Sequence, residues 1–385
     1  MTRMSPLVGL ILVPIVILLF KTAGFDRKMS SHKFGREVAP QEGAKSNLEF
    51  IFKRGVEALE AHDNATAVEF FTRAISIDPE ESAAYFNRGL AYDHSKNYDR
   101  AVADFTTAIR MEPDASEIYY NRGCSYLGKK DYDHALSDFN EAIRLDPKDA
   151  NSYLLRARTY LAKNDCSRAM ADCTEALRLD PKSADAYAER ARVYDKQKDY
   201  QGALDDYDEA IRLNPKDIDY YISRGLVKAD KKDYEPALAD LKIAIDMDAK
   251  NASAYVGRAS VYAKKKDYER AAADYTQAIR LQRREPQAYN DLAWLWATCP
   301  NEKFRNGPKA VEFALFACKA SEWKDPYFFD TLAAAYAAVG KFSDAAQWQK
   351  KALASPECYE DEEELQKARE RLKLYEEHKV YIDES

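Results

Sequence analysis

An Ala-Ile or Ala-Leu pair returns every 34 residues along this chain, at Ala74, Ala108, Ala142, Ala176, Ala210, Ala244 and Ala278. In the first five copies an Asp, Glu or Asn followed by proline closes the unit, as in Asp78-Pro79 and Asn214-Pro215; the sixth and seventh carry Ala249 and Arg283 instead of proline. A fixed period of this length marks a stacked array. One unit cannot cover its own apolar face and relies on its neighbours to do so. Such arrays present extended surfaces, which suits binding better than catalysis.

With each unit written as 34 positions starting at Ser82, the second unit has Tyr85, Gly89, Tyr92, Ala101, Phe105, Ala108 and Pro113 at positions 4, 8, 11, 20, 24, 27 and 32. The third unit has Tyr119, Gly123, Tyr126, Ala135, Phe139, Ala142 and Pro147 in the same slots. At about 100° per residue, positions 4, 8 and 11 share one helical stripe, so these side chains are expected to face inward together. Small residues at 8, 20 and 27 let two helix backbones approach, and aromatic residues fill the rest. Proline disfavours helical geometry in the residue before it and should end the second helix.

These residues resemble the tetratricopeptide repeat (TPR) signature over roughly residues 48–355. The resemblance implies an all-α fold, a right-handed superhelical solenoid of stacked helix-turn-helix repeats. It implies a protein-interaction scaffold taking a peptide or helical segment in a concave groove. The expected organisation is an apolar segment at 1–25, a polar tether at 26–47, and seven regular repeats at 48–285. Two irregular repeats at 286–355 and a capping helix and tail at 356–385 complete it. The stretch from Asp291 to Pro300, with Trp323-Lys-Asp-Pro and Asp330-Thr-Leu-Ala-Ala-Ala-Tyr, is similar to a terminal module of bacterial TPR proteins, particularly of the planctomycete type.

Pro6–Phe20 contains no charged or polar side chain and is flanked by Arg3 and Lys21. Counted from Met4 it is ~26 Å of helix against a hydrocarbon core of about 30 Å. This reads as an uncleaved membrane anchor. The rival is a cleaved signal peptide with Thr22-Ala23-Gly24 at the cleavage site, which would leave an exported periplasmic adaptor. Lys21, Arg27, Lys28, Lys33 and Arg36 follow the segment, so the excess of positive charge places the repeats in the cytoplasm. The six cysteines show no paired framework and read as reduced thiols.

Residues 1–47 carry seven Lys/Arg and three Asp/Glu, a net +4, so the remainder of a chain with net charge −7 carries −11. A body of that sign is a poor polyanion binder, and no nucleic-acid partner is expected. Position 7 is arginine in all seven regular repeats: Arg54, Arg88, Arg122, Arg156, Arg190, Arg224 and Arg258. Position 23 is aspartate in the second to seventh: Asp104, Asp138, Asp172, Asp206, Asp240 and Asp274. The irregular repeats change both together, to Leu292 with Phe313 and Leu332 with Trp348. Charge opposite charge and apolar opposite apolar imply that the two positions touch, in a ladder of semi-buried ion pairs. The competing reading is an anion-binding ladder of arginines. The first repeat, with Arg54 but Phe70, departs from the pattern.

No phosphate loop, nucleophile elbow or metal-ligand spacing occurs, so no catalytic residue, metal or cofactor is expected. Positions 2, 5, 9 and 12 lie roughly opposite the core stripe of the first helix, on the face that TPR folds turn to their groove, with the asparagines of position 6 beside them. The candidate partner-binding residues there are Phe52, Phe86, Asn87, Leu90, Tyr120, Asn121, Leu154, Arg158 and Arg192. The expectation is an exposed apolar strip with asparagines for a peptide backbone and arginines for an acidic flank. The alternative is that the apolar members pack against neighbouring helices. A distant alternative for the whole chain is a regulatory subunit of an enzyme complex.

Overall fold

The computed structural model of the chain describes residues 42–355, 359 and 362–383. The expected anchor, residues 1–25, lies outside them. The described residues are helical throughout, with no strand among them. First helices of successive pairs are α1 (Glu42–Glu60), α3 (Ser82–His94), α5 (Ser116–Gly128), α7 (Ala150–Ala162), α9 (Ala184–Lys196), α11 (Ile218–Asp230), α13 (Ala252–Lys264), α15 (Pro286–Thr298) and α17 (Pro326–Ala338). Second helices are α2 (Asn64–Ile77), α4 (Tyr98–Met111), α6 (Tyr132–Leu145), α8 (Cys166–Leu179), α10 (Tyr200–Leu213), α12 (Tyr234–Met247), α14 (Tyr268–Leu281), α16 (Gly307–Ala320) and α18 (Phe342–Leu353). A final helix, α19, spans Glu362–Glu376. Helix α1 begins at Glu42, so helix runs into the stretch read as tether.

Each regular pair is joined by a three-residue turn whose middle residue, at position 15, is left-handed: His62, Lys96, Lys130, Asn164, Lys198, Lys232 and Lys266 have φ between 58° and 68°. That reversal lets the second helix run antiparallel to the first. The next residue usually caps the second helix, its carboxylate accepting an orphan backbone N–H, as Asp165 does from Arg168 at 3.0 Å. Proline is not what ends the second helix. Helices α12 and α14, which lack it, stop in the same register, with Asp248 (φ −143°, ψ 100°) and Gln282 (φ −133°, ψ 82°) extended much as Asp146 is (φ −130°, ψ 90°) before Pro147.

The helices fall in two compact units, 42–198 and 199–383. Within each unit, second helices pack against the next first helix. First helices also touch first helices: α1 meets α3, α3 meets α5, α5 meets α7 and α7 meets α9, and in the other unit α11 meets α13 and α15 meets α17. A first helix is therefore enclosed on three sides, whereas a second helix keeps a broad solvent face. Eight of the 13 residues of α3 are buried, against Ala101, Asp104, Phe105 and Ala108 alone in α4.

The small residue at position 8 does what the pattern requires. A Cβ on Gly89 would sit 2.7 Å from the Phe105 ring, and one on Gly123 would sit 2.8 Å from Phe139, so glycine is what allows the aromatic ring of position 24 to reach the first helix. The tyrosines at 4 and 11 differ from expectation. Tyr85 and Tyr92 are half-buried at the edge of the core and flank the guanidinium of Arg88 at 5.7 and 6.0 Å from their centroids.

The ion-pair ladder is present. Arg88 holds Asp104 with two parallel bonds of 2.8 Å, and Arg122–Asp138, Arg156–Asp172, Arg224–Asp240 and Arg258–Asp274 repeat that fork. The third nitrogen reaches back to position 25 of the preceding repeat: Arg88 to Thr72 at 3.1 Å, Arg122 to Thr106 at 3.0 Å, Arg156 to Asn140 at 2.7 Å and Arg224 to Asp208 at 2.6 Å. Arg190 and Asp206 belong to different units. In the first repeat, where Phe70 replaces aspartate, the Arg54 guanidinium turns outward to Glu57 at 2.9 Å and lies over the Phe70 ring. In the irregular repeats Leu292 and Phe313 share one apolar cluster, and Leu332 and Trp348 another. The arginines are structural, with their counter-charges supplied within the chain.

Helix α15 is followed by an eight-residue connection, Cys299–Asn306, that contains the 3-10 turn Glu302–Phe304. Helix α19 packs against the last pair with Leu365 and Tyr375 buried. It also buries Arg371 completely, which the sequence pattern did not suggest.

Candidate functional site: the inner face of the first helices

Positions 5, 6 and 9 of successive first helices meet on the inner face of each unit. The apolar candidates there are interior residues. Phe86 is fully buried, and Phe52, Leu90, Leu154 and Tyr120 are 3–8% exposed. Phe52 packs on Phe71, Phe86 on Phe105 and Tyr120 on Phe139, with centroids 5.4, 5.7 and 6.2 Å apart. The expected open apolar strip is therefore absent from this face. A helical wheel treats a first helix as having one covered side, but its own second helix and both neighbouring first helices bury a wider arc. Asn87 and Asn121 are buried too, and donate to the carbonyls of Ala83 and Glu117 one turn back at 2.8 and 2.7 Å. Each thus ties an amide N–H to its own helix, and neither side chain stands out for a peptide backbone.

Arg158 and Arg192, at position 9 of the fourth and fifth repeats, remain partly exposed and converge on Glu189 at position 6. Arg158 Nε donates to Glu189 Oε1 at 2.7 Å and Arg192 Nη1 to the same oxygen at 3.0 Å. Burial acts to raise the Glu189 carboxyl, but the two guanidinium groups outweigh it and hold it below the ordinary carboxylate range. The arginines expected to orient an acidic ligand are thus engaged by an internal acid that was not among the candidates.

In the unit 199–383 the inner face opens into a cleft of about 220 Å³ between α13 and α15, lined by Ser260, Lys264, Tyr275, Asp291, Trp294 and Thr298 among others. Residues 379–383 are non-helical and return across α15. The backbone N–H of Asp383 donates to the Thr298 carbonyl at 2.8 Å, and Trp294 Nε1 donates to the Asp383 carboxylate at 2.9 Å. Just beyond, Arg371 of α19 forks onto Asp330 at 3.1 and 2.6 Å, and Gln349 Nε2 donates to the same carboxylate at 2.5 Å. The rings of Trp294 and Tyr381 lie 5.3 Å from the guanidinium carbon. The tail and cap residues were missed because they follow no repeat period. The clustering of Trp, Asp and Arg after position 286 was the one available signal.

Among the described residues, no group of three or more His, Cys, Asp or Glu could hold a metal ion, and no helix is long and apolar enough to cross a membrane. Cys124, Cys166, Cys299 and Cys318 are free thiols.

Two tetratricopeptide-repeat family models match the chain, one at residues 82–115 and 116–149, the other at 154–218 and 223–288. With the fold described above, the chain belongs to the tetratricopeptide repeat family, whose repeats make protein–protein interaction scaffolds. Similar solved structures include a tetratricopeptide repeat protein from Parabacteroides merdae, with 20% identity, a TM-score of 0.55, and 62% of this chain and 94% of that one covered. Yeast Tom70 aligns with 15% identity and a TM-score of 0.50 over 87% of this chain and 89% of its own. No curated protein sequence matches the chain significantly.

Proposed function

We propose that the chain is a membrane-tethered scaffold of bacterial type that captures a peptide or helical segment of a partner protein on the inner face of its first helices. The observation that carries the reading is the chain's own tail. A non-helical segment lies on α15, held by one main-chain bond from Asp383 to Thr298 and one side-chain bond from Trp294. A face that takes this segment has the donors and acceptors to take another. The residues for recognition are then polar members of the first-helix faces, Arg158 and Arg192 within the unit 42–198 and Asp291 and Trp294 within the unit 199–383, and not the buried rings.

The anchor is the apolar segment Pro6–Phe20, and the positive charge after it puts the repeats on the cytoplasmic side. A second reading, an exported adaptor, rests on Thr22-Ala23-Gly24 as a cleavage site. Intact mass and N-terminal sequencing of the membrane-purified protein distinguish them: an intact start supports the anchor, and loss of about 24 residues supports export. For the binding face, hydrogen exchange of the chain with a partner recovered from its own cell should show protection on α13 and α15, with protection lost in the 379–383 segment that the partner replaces. Protection confined to second helices would refute inner-face capture.

A further inference from the structure

The inner face carries two buried acids at position 6, and only one has a counter-charge. Glu189 meets the arginines that stand at position 9 of its own repeat and of the one before. Asp291 occupies the same position in the eighth repeat, but position 9 is Ser260 in the seventh repeat and Trp294 in the eighth. Neither can neutralise it. Asp291 is 5% exposed; its Oδ1 accepts from Gln287 Nε2 at 2.8 Å and from Asn290 Nδ2 at 3.4 Å, while its Oδ2 has no partner. Burial pushes the carboxyl up to about 7, with the two amide bonds offsetting only part of that. A buried acceptor without a partner costs about 1–3 kcal/mol, more when charged, so the site is poised to gain from a donor.

Asp291 lines the cleft between α13 and α15, where such a donor could enter. The one cationic side chain of that cleft, Lys264, is bound to Asp230. The neighbouring repeat shows what an inner-face carboxylate accepts. Asp330, 3% exposed at its side chain, takes the forked guanidinium of Arg371. Trp294 is common to both places: it lines the cleft beside Asp291 and lies under Arg371. An aromatic wall beside a buried carboxylate suits a lysine or arginine, whose stem packs while its head is paired.

We infer that this cleft is the specificity pocket for one lysine or arginine side chain of the captured segment, with Asp291 as its counter-ion and Trp294 as its wall. The inference rests on the proposed inner-face capture and names the chemistry read there. The net charge of −11 outside residues 1–47 favours approach of a basic segment.

The test uses the full chain in mild detergent and a displayed library of random 12-residue peptides as the probe. Peptides selected on the inner face should carry a lysine or arginine. Replacing an essential arginine by citrulline, which keeps the shape without the charge, should weaken binding at least tenfold. Asp291→Asn should weaken it to a similar extent, and the two changes together no more than either alone, because they remove one shared interaction. Circular dichroism and the Trp294 environment report that the variant is folded. Selected peptides that protect α13 and α15 from exchange yet ignore both changes would overturn the pocket and leave inner-face capture standing. If no peptide binds the inner face, both readings fall.

Discussion

Removing Asp138 and Arg122 singly and together tests whether the ladder acts as coupled pairs. The Asp138 side chain is 5% exposed and Arg122 17%, and they share bonds of 2.8 and 2.7 Å. Arg122→Leu strands a carboxylate in the core and also removes the bond to Thr106 at 3.0 Å, so it should cost about 3–5 kcal/mol, the range for breaking a buried pair. Asp138→Phe leaves a guanidinium that still reaches water and two tyrosine faces, and should cost less, about 2–3 kcal/mol. The double variant copies what the chain already uses at Leu292 and Phe313. It should come within about 1 kcal/mol of the parent, giving a coupling of roughly 3 kcal/mol or more. Repeat arrays unfold in parts, so the measurement is native-state hydrogen exchange of α5 and α6 alongside urea unfolding. Additive costs, with the double variant as damaged as the sum of the singles, would show that the pair is not coupled.

Asp291→Asn should stabilise the protein at alkaline pH. A folded pKa of about 7 against an ordinary 3.8 means stability is fully present below about 4 and is lost as pH rises through 7. The parent-to-variant gap should therefore grow from near zero at pH 4 towards a limit on the order of 4 kcal/mol at pH 8, and a gap independent of pH, read from urea midpoints, would contradict it. Phe86→Ala should cost about 3–5 kcal/mol of stability because the ring is fully buried, so a variant with unchanged urea midpoint would return Phe86 to the list of surface anchors. Gly123→Ala should cost about 1–3 kcal/mol, since the new methyl meets the Phe139 ring; thermal unfolding that is unchanged would show that the ring can move aside.

The helix pairs and the Arg–Asp partnership were legible because each recurs with the same spacing, the pairs in seven copies and the partnership in six, so every copy testifies to one geometry. Exposure on the inner face was not. Phe86 and Tyr120 lie only about 60° round the helix from Gly89 and Gly123, within reach of the same second-helix ring, and a wheel carries no record of the neighbouring first helices that bury the rest of that side. The position-6 and position-9 charges are visible as residue types, but nothing in their order along the chain pairs Glu189 with Arg158 and Arg192. Those partners are one and zero repeats away in space, a relation that stacking creates. The cap was the least legible part. Arg371 looked like one more surface charge on an acidic helix until Asp330 was placed beneath it.

The rungs at Arg88, Arg122, Arg156 and Arg224 join residues 16 apart inside one repeat and reach back to the repeat before it. Excising a block of 34 residues, from any point in a repeat to the same point in the next, therefore rejoins compatible halves. The arginine arriving at the seam finds an equivalent aspartate and an equivalent backward acceptor, because Thr72, Thr106 and Asn140 all serve in that place. Insertion of a copied block meets the same conditions. The regular part of the array is thus modular in register, able to lengthen or shorten by whole units without opening a vacancy in its core, while an indel of any other size would take arginine and aspartate out of register. The unique chemistry at Asp291, Asp330 and Arg371 lies beyond the last regular unit, where such exchanges would leave it untouched.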